Sequence, residues 1–371
     1  MRTWEDSPLS ELLWGPRIRD FRTLYGLTQV DLARELEVSQ TTLSMAEREE
    51  IPADDVIELI VDAFDVPFAF FAERASTAGV EGTLRFRKRA RTSKKDTDRV
   101  AVLFKEAHRV AARLASTTGV RAPDFDGLRG LPVEEAAAAA RIRLGVPDGA
   151  AVDHVVRRCE AAGIVVFPLR LPGFVPDRDV VGHSGVSAWE PWDVPAIGYM
   201  PGEPGDRQRH TVAHELGHLI LHRGRGPVLS RDDQRQSETQ ASTFASAFLV
   251  PPGPLRAAMR ADLTLSDFKV LKAGWGVSIA SLIMRSRDLG FIDDDRATSL
   301  FKQLSARGWR KDEPVSVTRE HPVLMAKMLT RLAHGGEASL AASMVGLSET
   351  VLRCLATGPA PPPMPASSFR G

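Results

Sequence analysis

His214-Glu215-Leu216-Gly217-His218 is the most informative segment of the chain. It is an H-E-x-x-H pattern. On a helix, histidines four residues apart stack on one face about one turn (~5.4 Å) apart. Both imidazoles then reach a single Zn²⁺ at ~2.0–2.1 Å. Glu215 follows the first histidine, so its carboxylate can touch a water at the open position of the ion without being a ligand itself. That is the place of a general base in metal-assisted hydrolysis. The pattern is short enough to occur by chance, so its surroundings matter. Val212, Ala213, Leu216, Leu219, Ile220 and Leu221 make the helix apolar and buried. Buried ionisable groups need a partner such as a metal. Four of the nine histidines, His210, His214, His218 and His222, fall on this one helix.

A hydrolytic zinc takes three protein ligands and leaves one position open. His222 continues the four-residue spacing but lies about 12 Å of helix rise beyond His214, too far for one ion to bridge. The positions that would carry the glycine and third histidine of a metzincin are Leu221 and Gly224, which excludes that class. Glu238 is the better candidate. It opens a stretch, 238–249, in which Ala241, Phe244, Ala245, Phe248 and Leu249 follow helical spacing, and it falls on their inward face. An ionised carboxylate aimed at a core calls for a cation. The plainer reading is a helix N-terminal carboxylate favoured by the dipole. Asp232 and Asp233 are weaker rivals, in a polar stretch, 230–237, that reads as a solvated loop.

The wider pattern resembles a known family. Arg207-Gln208-Arg209-His210-Thr211-Val212-Ala213-His214-Glu215-Leu216-Gly217-His218, then Glu238-x-x-Ala241-x-x-Phe244-Ala245, Leu249-Val250-Pro251, and Trp275-Gly276-Val277-Ser278 with Leu282, Arg285 and Leu289-Gly290, is similar to the ImmA/IrrE metallopeptidases. The resemblance covers roughly residues 130–315. Two positions depart from it: His210 stands where an aromatic is usual, and Ser242 where asparagine is frequent. Neither removes a ligand or the base. The resemblance implies a zincin-like fold and site-specific cleavage of a repressor-type protein. Residue spacing alone gives only a zinc hydrolase.

Composition sets the outer bounds. A chain of 371 residues holds two or three domains, and 43% hydrophobic with 26% charged residues is an ordinary soluble balance. Lys+Arg 48 against Asp+Glu 48 leaves no net charge, so binding to nucleic acid must be local. Two cysteines far apart, Cys159 and Cys354, give no disulfide framework and fit a reducing cytosol. The N-terminus lacks an apolar signal region, and no run of 18 or more apolar residues appears. A cytoplasmic protein with no membrane segment is expected.

Residues from about 10 to 74 read as several short helices, the first (17–25) ended by Gly26, the second capped by Thr28 and the third by Ser39. Helices at 53–64 and 67–73 follow. The spacing Gln29…Ala33…Val38-Ser39…Leu43 resembles a repressor helix-turn-helix of the xenobiotic-response-element class. Its third helix would read double-stranded DNA, with Gln40, Thr41, Thr42 and Ser44 at base edges and Gln29 reaching phosphate. Between residues 16 and 75, acidic residues outnumber arginines about two to one. That charge leaves a second reading open, a helix-turn-helix kept for docking a protein or for homodimerisation. The basic run 85–95 offers phosphate contacts beside it or a solvated linker, with a strand-like alternation at 83–87.

An amphipathic helix is expected at 98–116, a connector at 123–131, helices at 133–144 and 152–162, and a buried strand at 164–167. A strand at 194–200 precedes the zinc helix and is the candidate edge for pairing with extended substrate. His183 and Tyr199 are candidates to steady an oxyanion, or ordinary loop and strand residues. The expected fold is α+β and helix-rich. A helix-turn-helix domain (1–75) is followed by a basic segment and connecting helix (76–130), a zincin-like metallopeptidase domain (131–250), a helical C-terminal region (251–357) and a disordered tail (358–371). The expected site is His214, His218 and Glu238 on Zn²⁺, with Glu215 as base. Two other functional classes stay open: a transcription factor whose peptidase fold senses a signal, and an antitoxin or phage-immunity regulator.

Overall fold

The structure is a computed structural model that describes residues 13–64, 66–72, 93–176, 184–224, 230–260, 263–333 and 345–356. The strand-like stretch 83–87, the basic run up to residue 92, His183 and the tail 358–371 lie outside the described residues.

Five short helices open the chain: α1 (Pro16–Tyr25), α2 (Gln29–Glu35), α3 (Gln40–Glu47), α4 (Asp54–Phe64) and α5 (Ala69–Ala72). Their ends follow local chemistry. Gly26 takes a left-handed φ of 73° and stops α1. Thr28 and Asp31 cap α2 reciprocally, and the Ser39 hydroxyl accepts from the Thr42 N–H at 2.9 Å to start α3. Ile18, Phe21, Leu32, Leu43, Ile57, Phe70 and Phe71 fill the space between them.

The next helix, α6 (Lys94–Thr118), starts earlier and ends later than the expected 98–116. Ser93 caps it and Gly119, at φ 74°, ends it. Lys94 and Lys95 therefore belong to a helical turn rather than to a linker. One end of α6 is clamped to the helix-turn-helix. Arg99 Nε donates to the Leu24 carbonyl at 2.8 Å, and Arg17 grips Glu106 with two bonds of 2.6 and 2.9 Å. Farther along, Phe104 packs on Phe167, and His108 Nε2 lies 2.6 Å from the Val194 carbonyl.

Two helices, α7 (Val133–Arg143) and α8 (Val155–Ala161), lead into a three-stranded sheet of β1 (Val165–Pro168), β2 (Gly185–Ala188) and β3 (Ala196–Tyr199). The order is β1-β3-β2, with β1 parallel and β2 antiparallel to β3. The strand expected at 194–200 is thus the central one and has no free edge for substrate. The edge beside the metal helix is β2, a four-residue strand too short to read from alternation. Side chains alternate across the sheet. Val165, Phe167, Val186, Ala188 and Ala196 join the core shared with the helix-turn-helix and α6, whereas Val166, Ile197 and Tyr199 join a second core.

That second core is built on α9 (Gly205–Leu221) and α10 (Arg231–Leu249), followed by α11 (Pro252–Ala258), α12 (Leu265–Trp275), α13 (Ile279–Asp288) and α14 (Asp294–Ala306). The Trp275-Gly276-Val277-Ser278 corner joins α12 to α13, and Ile279, Leu282 and Ile283 bury behind it, as a core helical pair should. The C-terminal helices α15 (Leu324–Ala333) and α16 (Glu349–Ala356) pack against β1, and β2 is the edge strand on the other side of the sheet. The expected helix-rich α+β class holds. Among the described residues no helix is long and apolar enough to cross a membrane.

Candidate metal centre

Helix α9 carries His214 and His218 on one face, and α10 lies across it. Close approach of the two helices rests on Gly217. A Cβ there would meet the Phe244 side chain at 3.0 Å, so any larger residue would push that ring back by a few tenths of an ångström. The approach brings Glu238 over the two imidazoles. His218 Nε2 and His214 Nε2 are 3.1 Å apart, and the Glu238 carboxylate oxygens lie 3.5 Å from each. Ligands of a tetrahedral zinc with ~2.0–2.1 Å bonds are spaced by about 3.3 Å, so the donors stand where the ion requires them. These three residues form the one such group of histidine, cysteine or carboxylate donors among the described residues. Burial works against an ionised Glu238, but the adjacent His214 and His218 outweigh it and hold the carboxyl well below the usual range. A carboxylate beside two imidazoles is the donor set of a divalent ion.

Glu238 does not open its helix. Ser230 caps α10, its hydroxyl accepting from the Asp233 N–H at 3.1 Å, so Asp232 and Asp233 occupy an exposed first turn rather than a solvated loop. That places Glu238 two turns into α10 and removes the reading as an N-terminal dipole partner. Neither aspartate joins the donor group.

Glu215 is buried and stands apart from the three donors. Ser187 on β2 donates to its Oε2 at 2.7 Å. Gly185, two residues earlier, lies so close that a Cβ would meet the Glu215 side chain at 2.9–3.0 Å. The strand therefore forms a wall that fixes the carboxylate. The remaining histidines do not join the donors. His222 lies with Nδ1 2.9 Å from His218 Nδ1, and its Nε2 is 2.9 Å from Gln240 Oε1. Ser242, one of the two departures from the family pattern, lies 3.3 Å from His214 Nδ1. His210 stacks one turn before His214, and burial, with His214 and Arg207 nearby, lowers its pKa to about 4. Tyr199 lies at the end of the central strand β3. Its buried hydroxyl is engaged by the Gln208 side chain, and burial pushes its pKa up to about 12.

Sequence reasoning missed Ser187, Gly185 and the His222–Gln240 contact. Ser187 and Glu215 meet only through strand pairing. His222 and Gln240 did carry a signal, since one continues the histidine spacing and the other follows Glu238 by two positions.

In the helix-turn-helix, Gln40 and Thr41 are exposed at the start of α3, whereas Thr42 and Ser44 are half-buried. The Thr42 hydroxyl is bonded to Ser39 at 2.7 Å. Gln29 does not hold its amide out toward a phosphate: Nε2 donates to Glu47 Oε2 at 2.8 Å. Glu47 is itself buried and also gripped by Arg22 at 2.5 Å. Asp20 is likewise paired internally, with Arg17 at 2.8 Å and Lys105 at 3.5 Å. Two of the acids that make this segment read as repulsive to DNA are thus neutralised inside the fold. A groove of about 570 Å³ beside the two helices is lined by Arg22, Gln29, Gln40, Lys94 and Lys95, with Asp98 at its rim.

No curated protein matches the chain. Residues 159–287 match the IrrE N-terminal-like domain, a stretch that contains His214, Glu215, His218 and Glu238, and residues 18–71 match a helix-turn-helix. The chain thus joins a helix-turn-helix of the DNA-binding type to an IrrE N-terminal-like peptidase domain.

Proposed function

We propose that this protein is a cytoplasmic zinc endopeptidase that cuts a repressor-type DNA-binding protein, with its helix-turn-helix placing it on DNA or docking that repressor. The observation that carries the reading is the convergence of His214 Nε2, His218 Nε2 and a Glu238 oxygen at zinc-ligand spacing, with an independent, buried carboxylate on the residue after His214. When bound, zinc supplies Lewis-acid polarisation of the scissile carbonyl and makes water acidic enough to lose a proton near neutral pH. Glu215 takes that proton and later returns it to the leaving amine. Ser187 holds Glu215 Oε2, which leaves Oε1 for the proton. β2 is an edge strand of the sheet and its Ser187 touches Glu215, so an extended substrate segment that adds to the sheet there meets the base. This role passes to β2 from the central strand β3.

The test is incubation of the full chain with a candidate repressor-type helix-turn-helix protein, with and without chelator, followed by intact mass measurement. Two fragments that sum to the repressor plus one water, absent with chelator, are expected. An intact repressor in both arms, from a zinc-loaded enzyme, contradicts the cleavage reading.

A further inference from the structure

A histidine that binds zinc through Nε2 must carry its own proton on Nδ1, and something must hold it there. His218 Nδ1 faces His222 Nδ1 at 2.9 Å, and His222 Nε2 faces Gln240 Oε1 at 2.9 Å. Zinc on His218 Nε2 and the Gln240 oxygen at the far end call for the same proton order along this row. An amide oxygen only accepts, so His222 is protonated on Nε2 and donates to Gln240. His222 Nδ1 is then a bare lone pair and accepts from His218 Nδ1–H. His218 Nε2 is left unprotonated, at the point where it stands 3.1 Å from His214 Nε2 and 3.5 Å from Glu238 Oε1. His222 is buried at 6% exposure, which limits competition from water. The contact at the other ligand is different in kind. His214 Nδ1 faces the exposed Ser242 hydroxyl at 3.3 Å, and a hydroxyl both donates and accepts, so that contact imposes no tautomer.

We propose that His222 and Gln240 are positioning residues that set the tautomer of His218 and thereby raise zinc affinity. His222, the residue whose distance excludes it as a ligand, acts on the ion through its neighbour. The same two helices supply both layers: α9 gives the ligand and, at its C-cap, the partner His222, and α10 gives Glu238 and, two residues on, the acceptor that orients the row. This inference rests on the zinc reading above.

The experiment is zinc affinity of the full chain by competition with a chromogenic chelator. Gln240 is half-exposed on a helix, so its variants keep the fold, which circular dichroism checks. Gln240→Glu keeps an acceptor and should bind zinc as the parent does. Gln240→Leu removes the acceptor without changing charge and should weaken binding. Gln240→Lys puts a donor in its place, reverses the row and drives a proton onto His218 Nε2, for an expected loss of ~10–100-fold. His222→Ala should fall in the same range. A role in packing alone predicts no difference between Glu and Lys at 240, and an effect of charge alone predicts that Gln240→Leu matches the parent. Either of those patterns overturns the proposal. A parent chain that takes up no zinc at all is a separate result, which sinks the metal reading itself.

Discussion

The metal centre and the helix-turn-helix are both legible as motifs, yet folding treats their polar residues in opposite ways. At the metal centre the polar side chains stay where helical spacing puts them. His214 and His218 share a face because 3.6 residues make a turn, and the fold turns both of them toward each other and Glu238. At the helix-turn-helix the polar residues are surface groups with a choice, and several turn inward. Gln29 and Arg22 close on Glu47, and Arg17 turns from the surface to Glu106 on α6. A charge count along the sequence therefore overstates the repulsion this domain offers to DNA. The donor group at the metal centre is the one that helical spacing picks out.

The largest effect expected lies on the metal side. Glu215→Gln should retain zinc and lose peptide cleavage by at least ~100-fold, because a carboxamide cannot take the proton. Cleavage at the parent rate would remove the asymmetry between ligands and base on which the site is read.

The joint between the two regions should come next. Glu106 is fully buried, and burial alone would raise its pKa, but Arg17 and Arg109 outweigh that and hold it at about 2. A carboxylate depressed in the folded chain stabilises it fully above the unfolded value of 4.5. That stabilisation fades as pH falls from there toward 2. Glu106→Gln should therefore cost about 3–5 kcal/mol at pH 7, since two buried guanidinium groups lose their anion. The difference from the parent should shrink in the acid window. Urea unfolding at pH 7 and at decreasing pH measures both. A constant difference between the two proteins across that window would show that the pair is not what couples the domains.

Smaller effects belong to the DNA side. Gln40→Ala and Thr41→Ala, on the exposed start of α3, should relax sequence preference by about 1–3 kcal/mol for each base interaction removed. Replacing Lys94 and Lys95 by Ala should weaken all duplexes alike and lower the slope of log affinity against log salt by about two. Fluorescence anisotropy of the full chain on a short duplex at several salt concentrations reads both. A sequence-dependent effect of the lysines would mean that the groove beside α2 touches bases instead of the backbone.

How far the sequence carries depends on whether a feature is set locally or by long-range pairing. Helix ends are readable because Thr28, Ser39 and Gly26 act on their own backbone. The start of α10 is misplaced because its first turn is made of polar residues on an exposed face, where apolar periodicity is silent and only the Ser230 cap speaks. The sheet is the least legible part. Order β1-β3-β2 reverses the edge assignment, and a four-residue strand such as β2 has too few positions to show alternation. Ser187 could not be tied to Glu215 from sequence, because the two meet only once β2 pairs with β3 and packs on α9. Ligands on one helix need no such knowledge. Glu238 lies between these extremes: its helix and inward face are readable, but its height over the imidazoles depends on Gly217 letting α10 approach.

Zinc content decides whether His214, His218 and Glu238 form a metal site. Metal analysis of the purified chain should give about one Zn²⁺ per protein. Glu238→Ala and His214→Ala should each lower zinc affinity by ~10-fold or more, as three ligands become two, while Glu215→Gln keeps the parent value. Parent-level affinity in Glu238→Ala, with fold intact, would contradict the account and place the third ligand elsewhere.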